Sequence, residues 1–226
     1  MAGMERTSSE SSRLIESAHA LDVALSQEAA GKLLRLLDEL SRWNKAHNLT
    51  AITQREEMIT HHLLDSLSIH SALHGETVAD VGTGAGFPGL PLAVVNPQRR
   101  FTLIDSNNKK VRFVAHAART LGLSNVAAVH ARAEAPWPGK SFDSVVARAF
   151  AALPELLAKV RPLCGPDTHV LAMKGRRPDD ELAAVPAAWR VIEVRPLTVP
   201  HLNEARHVVI LRPAEKTGST EPLDRE

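Results

Sequence analysis

Residues 78–89 read Val-Ala-Asp-Val-Gly-Thr-Gly-Ala-Gly-Phe-Pro-Gly. An apolar run that ends in three alternate glycines, Gly82, Gly84 and Gly86, lets a ligand approach the backbone closely. Glycine permits positive φ and has no Cβ to obstruct the approach. A helix starting just beyond adds free N–H donors. Asp105 ends the next apolar run, about 20 residues on, where a carboxylate can take both hydroxyls of a ribose. The chemistry implied is the binding of a ligand that contains a nucleoside. Other reactive types are sparse. Cys164 is the single cysteine, and within Pro162-Leu163-Cys164-Gly165-Pro166 it reads as a small core or turn residue, not a nucleophile. His61 and His62 adjoin, but no Cys, His or acid accompanies them at metal-binding spacing, so no metal is expected.

Two ligands compete for the glycine loop. Gly84-x-Gly86-x-x-Gly89 matches the dinucleotide fingerprint, which implies a nicotinamide-dependent oxidoreductase. Gly82-x-Gly84-x-Gly86, with Asp80 just before it, matches the loop of S-adenosylmethionine methyltransferases. The second fits better. Its first glycine directly follows the apolar run, and Asp80 can help hold the methionine ammonium. A carboxylate facing a pyrophosphate would be repulsive.

These residues need a scaffold, and the periodicity supplies one. The first 75 residues read as helices. Leu33, Leu34, Leu36, Leu37 and Leu40 recur at helical spacing within Ala29 to Leu40, with Ser26 as N-cap. Thr53-Gln54-Arg55-Glu56 fits a capping box and opens a second helix carrying Met58, Ile59, Leu63, Leu64, Leu67 and Ile69. A weaker helix covers Arg13 to Val23. After Gly75 the pattern alternates. Strands are expected at Thr77 to Val81, Phe101 to Asp105, Val126 to Val129, Ser141 to Ala147 and Thr168 to Met173. Helices are expected at Phe87 to Val95, Lys109 to Leu121, Ala151 to Val160 and Asp179 to Pro186. Arg190 to Leu197 and His207 to Leu211 are strands with no helical segment between them, the mark of an antiparallel pair. The expected fold is α/β. Five β-α units form a Rossmann-like class I S-adenosylmethionine methyltransferase sheet, mostly parallel, with an antiparallel closing hairpin and an N-terminal helical extension. Residues 1–10 and the tail 213–226 are expected to be disordered, leaving a helical extension at 11–75 and a methyltransferase domain at 76–212.

Composition narrows the partners. The 226 residues carry 27 Lys+Arg against 26 Asp+Glu, a net charge of +1, which excludes a strongly basic coat protein and an acidic tail protein. The balance hides a segregation. Residues 1–75 hold 7 basic and 10 acidic groups, residues 76–212 hold 18 and 12, and residues 213–226 hold 2 and 4. A basic central body suits a polyanion. One cysteine points to a reducing, cytoplasmic location. Met1 to Ser12 has no apolar signal segment, and no run is long enough to span a membrane.

Several stretches together give a family likeness. Trp43-Asn44-Lys45-Ala46-His47-Asn48-Leu49-Thr50, His62-Leu63-Leu64-Asp65-Ser66 and Asp80 to Pro91 are joined by Asp105-Ser106 with Lys109, Val111, Arg112 and Phe113. Arg148-Ala149-Phe150-Ala151, Met173-Lys174-Gly175 and Arg206-His207-Val208-Val209-Ile210 complete the set. The chain resembles the ribosomal RNA small subunit methyltransferase G family, also called glucose-inhibited division protein B, over about residues 14–212. The resemblance implies S-adenosyl-L-methionine as cofactor and N7 of a guanine in 16S ribosomal RNA as acceptor, within a small-subunit particle. It implies cofactor contacts at Gly82, Phe87, Ala133 and Glu134, and places Arg148 at the cofactor or substrate mouth. One departure is His61, where the family usually has Arg. A permanent charge is replaced by one that titrates near neutrality.

Guanine N7 has a free lone pair and no proton to lose, so no general base is required. Arg148, Asn48 and His62 are candidates for positioning the reactants. Methylation at a pyrimidine C5 needs a cysteine nucleophile, and exocyclic amine methylation usually shows an Asn/Asp-Pro-Pro-aromatic motif where this chain has Arg148-Ala149-Phe150-Ala151. Lys174, Arg176 and Arg177 cluster past the fifth strand, and Lys109, Lys110 and Arg112 follow Asp105. These are the expected RNA contacts. Arg99 and Arg100 lie at the other end of the sheet. The alternatives are a methyltransferase of another substrate class, an NAD-binding oxidoreductase and a non-catalytic RNA-binding module. Trp43 either covers the cofactor mouth or anchors the helical arm.

Overall fold

A computed structural model describes residues 2–214, with side chains from Ser9 onward. The helical arm comes first. Helix α1 spans Ala2–His19 and α2 spans Gln27–His47. Ser26 caps α2 as its spacing predicts, its hydroxyl accepting from Ala29 N at 3.1 Å. Leu33, Leu36, Leu37 and Leu40 are fully buried. Each such leucine contributes roughly 1.5–3 kcal/mol by leaving water. Helix α1 begins well before the expected Arg13. The segment expected to be disordered, 1–10, is helical from Ala2, and its last residue, Glu10, ion-pairs with Arg55 at 2.8 Å.

The next helix departs from expectation in kind. It runs as α3, Arg55–Met58, then a π-helical stretch, Ile59–Leu64, then α4, Asp65–Leu67. Its N-cap is Gln54, with no side-chain cap, so the capping box at Thr53 does not form. In the π stretch backbone bonds reach one residue further, and carbonyls become available to side chains. The His61 carbonyl accepts from Arg148 at 2.8 Å and the His62 carbonyl from the Ser66 hydroxyl at 2.5 Å.

A seven-stranded sheet follows. β1 is Thr77–Val81, α5 Gly89–Val95, β2 Arg100–Asp105, α6 Asn108–Thr120 and β3 Val126–His130. Then come β4 Phe142–Arg148, α7 Leu153–Val160, β5 Cys164–Lys174, α8 Asp179–Ala183, β6 Trp189–Leu197 and β7 Arg206–Pro213. The spatial order is β3-β2-β1-β4-β5-β7-β6. All neighbours pair parallel except β7, which runs antiparallel between β5 and β6. The four expected helices accompany the parallel strands, and because none joins β3 to β4 there are four β-α units, not the expected five. Pro136, Pro138 and Gly139 interrupt that connection. Trp137 folds it back, donating from Nε1 to Ala133 O at 3.2 Å. Pro213 belongs to β7, and residues 215–226 of the expected disordered tail lie outside the described residues.

The strand order reverses between β1 and β4, and ligands of open α/β sheets bind beyond the carboxyl ends of the strands at such a point. The chain places its glycine loop after β1 and Arg148-Ala149-Phe150 after β4. The arm packs along the same side. Trp43 packs edge-on against Phe113 and at a tilt against His116 of α6, with ring centroids at 5.6 and 5.0 Å, so it is an anchor between α2 and the sheet domain. Cys164 is a core residue. Its thiol donates to Val160 O, and burial pushes its pKa up to about 12.

Candidate active site

β1 is fully buried from Val78 to Val81, and the chain must then turn sharply. Gly82 makes that turn at φ +65°, and a Cβ there would lie 2.4 Å from a ring carbon of Phe150. Asp80 is buried beneath the loop. Its Oδ2 accepts from the Thr83 hydroxyl at 2.6 Å and from Gly89 N at 2.8 Å. Gly89 permits this approach, since a Cβ on it would lie 2.6 Å from that oxygen. Asp80 Oδ1 is buried with no partner among the described residues. Burial pushes the carboxyl up to about 6, against the hydrogen bonds from Thr83 and Gly89 and the charge of Arg148. A buried carboxylate oxygen without a donor is costly, and a cation offered to it would offset that cost.

Two cavities open beside this loop. The smaller, of about 360 Å³, is lined by Gly82, Asp105, Ala133 and Glu134 together with Lys110 and Lys159. Four of the expected cofactor residues therefore meet in one place. Asp105 is fixed from both sides, Oδ1 by Asn107 N at 2.8 Å and Oδ2 by Gly84 N at 2.9 Å. Glu134 is exposed and ion-pairs with Arg132 at 3.7 Å. The larger cavity, of about 720 Å³, is lined by His61, His62, Asp65, Arg148, Lys174, Glu181 and Arg206 among others. Ala149 and Phe150 line both cavities, and Ala149 adopts φ +49°. Asp80 lines neither. Gly86 holds φ +87° at the base of the loop, with Leu90 packed where its Cβ would be.

The wall of the larger cavity is locked by ion pairs. Asp65, 5% exposed, accepts from Arg148 on one oxygen and from Arg206 on the other, each at 3.0 Å. This clamp ties the helical arm to β4 and β7. Arg148 also lies 5.7 Å from the centroid of the Phe87 ring. His62 stacks on that ring at 4.7 Å, and its Nε2 lies 3.0 Å from the Thr50 hydroxyl. Asn44 in turn grips Thr50 with both ends of its amide, at 2.9 Å each. Desolvation first, then the charges of Arg148 and His61, push the His62 pKa down to about 4. His62 is therefore neutral at pH 7.

Other expected residues are placed differently. Asn48 is an exposed C-cap of α2 at φ +50° and lines neither cavity. Lys174, expected as a phosphate contact, is 15% exposed and ion-paired within the wall. Its Nζ donates to Ala151 O at 2.9 Å and to Glu181 Oε2 at 2.7 Å. Glu181 also accepts from Leu153 N at the start of α7. Arg177 pairs with Asp179 at 2.8 Å. Arg176, Lys109 and Arg112 are exposed, with no side-chain ion pair among the described residues. The residue types alone gave no signal for Asp65, Glu181 or Arg206 as wall residues. Only the fold joins Asp65 to partners 83 and 141 residues away. Among the described residues no group of three or more His, Cys, Asp and Glu could hold a metal ion, and no helix is long and apolar enough to cross a membrane.

The donor set fits S-adenosylmethionine. Asp105 suits ribose hydroxyls in the smaller cavity, which Ala133 and Glu134 also line, and Asp80 beneath the loop has an unpaired carboxylate oxygen that suits an ammonium. Comparison with known proteins agrees. Solved structures share the fold, among them a SAM-dependent methyltransferase from Aquifex aeolicus (TM-score 0.52, 21% identity, 69% of this chain and 93% of that one). TrmN from Thermus thermophilus matches at TM-score 0.51 and 23% identity, over 66% of this chain and 47% of that one. A protein named ribosomal RNA small subunit methyltransferase G from Nitrosococcus oceani is 48% identical over 193 residues, covering 85% of this chain and 90% of its own. The protein of that name from Ectopseudomonas mendocina is 44% identical over 211 residues, covering 92% and 99%. The family model for rRNA small subunit methyltransferase G matches residues 29–209, and the chain belongs to that family.

Proposed function

We propose that the chain methylates N7 of a guanine in 16S ribosomal RNA, presented within a small-subunit particle in the cytoplasm. The observation that carries this reading is the pair of cavities that share the Ala149-Phe150 wall beyond β1 and β4. One has the size and the carboxylate for a nucleoside, and the other is large enough for a base. Bound there, S-adenosylmethionine supplies a sulfonium methyl group, which guanine N7 takes with its lone pair and with no proton to lose. Gly82, Gly84 and Asp105 would hold the nucleoside, and Asp80 the ammonium. Arg148, fixed by Asp65 and the His61 carbonyl, holds the Phe87 and His62 rings in place. His62 is uncharged at pH 7, so it does not oppose the positive charge that builds on the base. Catalysis then rests on holding two reactants in line, which alone supplies about 7–11 kcal/mol in well-oriented systems.

The test is transfer of labelled methyl groups by the purified enzyme to small subunits, protein-free ribosomal RNA and ribosomal protein, followed by mapping of the modified base. Label at a guanine N7 in 16S RNA is expected. Label confined to protein, or a stability shift with NAD and none with S-adenosylmethionine, would overturn the reading.

A further inference from the structure

We propose that Glu181, with Lys174 beside it, reads the Watson–Crick edge of the target base and so restricts the enzyme to guanine. The proposal rests on the guanine reading above and asks how that base is told from the others. The commonest protein contact to guanine is an arginine bridging O6 and N7. An enzyme that methylates N7 cannot use it, because the contact would cover the lone pair that must react. Recognition then falls to the remaining polar edge, where guanine alone presents O6 as acceptor beside N1–H and the N2 amine as donors. That edge calls for one donor next to one strong acceptor.

The larger cavity is lined by two carboxylates, Asp65 and Glu181. Asp65 is only 5% exposed and has its charge balanced by an arginine on each oxygen, Arg148 on one and Arg206 on the other. Glu181 uses only Oε2, which receives both Lys174 Nζ at 2.7 Å and Leu153 N at 2.6 Å. Its Oε1 has no partner among the described residues. Lys174 spends two of its three N–H groups, on Ala151 O and on Glu181. Its third is free for O6. The bond from Leu153 N fixes the carboxylate to the start of α7, and Lys174 fixes it to the end of β5. The acceptor is therefore held rigidly, as a specificity contact requires. Oε1 would accept from both N1–H and the N2 amine of guanine, whereas adenine presents an acceptor at N1 and no amine beside it, and would be rejected.

The experiment pairs an enzyme change with a base change. Small-subunit RNA is prepared with guanosine or inosine at the target position; inosine lacks the N2 amine but keeps N7, O6 and N1–H. Wild-type enzyme is expected to prefer guanosine by about 10- to 100-fold in kcat/KM, the range for a hydrogen bond to a charged acceptor. Glu181→Gln is expected to lose that preference, while its affinity for S-adenosylmethionine stays unchanged. A purely structural role for Glu181 would lower both rates alike and leave the preference intact, which overturns the proposal. Thermal unfolding of the variant accompanies the assay, and Lys174→Met provides a second probe, expected to slow both substrates while keeping the guanosine preference. Absence of wild-type transfer to either RNA would instead overturn the functional reading itself.

Discussion

At pH 7 the burial of Asp80 and the burial of His62 act in opposite directions. Asp80 titrates near 6 in the fold, above its ordinary 3.8, because burial disfavours its charge. Its contribution to stability is complete below 3.8 and is lost as the pH rises through about 6. His62 titrates near 4, below its ordinary 6.5. Its contribution is complete above 6.5 and is lost as the pH falls toward 4. Between 4 and 6 the two slopes oppose each other. Above pH 6, Asp80 carries a charge on an oxygen without a partner. Asp80→Asn is therefore expected to stabilise the free protein at pH 7.5 by roughly 1–3 kcal/mol, and to weaken S-adenosylmethionine binding. Denaturant melts at pH 7.5 and 4.5 with calorimetric titration of the cofactor check this; a gain of the same size at both pH values would refute the charge explanation. Two glycines of the same loop should differ as well. Both Gly82 and Gly84 have positive φ, which costs an alanine about 1–2 kcal/mol at either position. A Cβ at Gly84 meets only Gly82 O, at 3.9 Å, whereas at Gly82 it meets Phe150. Gly82→Ala should thus be the more destabilising, and Phe150→Ala in the same chain should remove the excess. Equal melting temperatures for the two alanine variants would show that Phe150 yields freely.

Among elements, the Asp65 clamp joins three that are far apart in sequence: the end of the π-containing helix, β4 and β7. Asp65→Ala leaves Arg148 and Arg206, each about one-fifth exposed, facing each other without their carboxylate. Removing one partner of such a buried pair costs about 3–5 kcal/mol, so a fall of several degrees in melting temperature is expected. Arg148→Met with Asp65→Ala should cost less than the two losses added, and strict additivity would mean that the clamp does not couple them. The clamp also marks what the sequence could and could not disclose. The leucine spacing of α2, its Ser26 cap and the strands β1 to β5 were legible, because burial patterns and capping are local. The meeting of Gly82 and Asp105 in one cavity was foreshadowed as well, since one directly follows β1 and the other ends β2, whereas Ala133 was expected there only from the family resemblance. The π stretch was not. Its His61 carbonyl accepts from Arg148, 87 residues on, a partner that no local pattern announces. The bare β3–β4 connection agreed with the absence of a helical pattern there, but the fold-back of Trp137 onto Ala133 gave no sign. Lys174 read as one of three adjacent cations, and only the fold brings Glu181 and the start of α7 against it. Local chemistry shows in the sequence, and the pairing of distant charges does not.

For the molecule as a whole, the net charge of +1 conceals a basic body at residues 76–212 and acidic flanks. Much of that basic excess is internally spent. Arg148, Arg206 and Lys174 hold carboxylates in the cavity wall, and Arg195 and Arg212 pair with Glu193 and Asp167. Arg176, Lys109 and Arg112 are exposed with no ion pair among the described residues, and Lys110 lines the smaller cavity. Each cation that reaches a phosphate releases counterions, and four such contacts would lower affinity by about 50- to 150-fold between 50 and 200 mM salt. So modest a grip suits a substrate held in shape by a folded particle better than a free strand, and activity on assembled subunits is expected to exceed that on protein-free RNA. The same counting separates the two neighbours past β5. Arg176→Ala should flatten the salt dependence of RNA affinity by about one unit of log–log slope. Lys174→Ala should leave the slope unchanged, because Glu181 already balances its charge, even where the affinity itself falls. Filter-binding titrations across salt concentrations distinguish the outcomes. An equal flattening in both variants would mean that the Lys174–Glu181 pair opens when RNA binds, and the assignment of Lys174 to the base edge would give way to a phosphate contact.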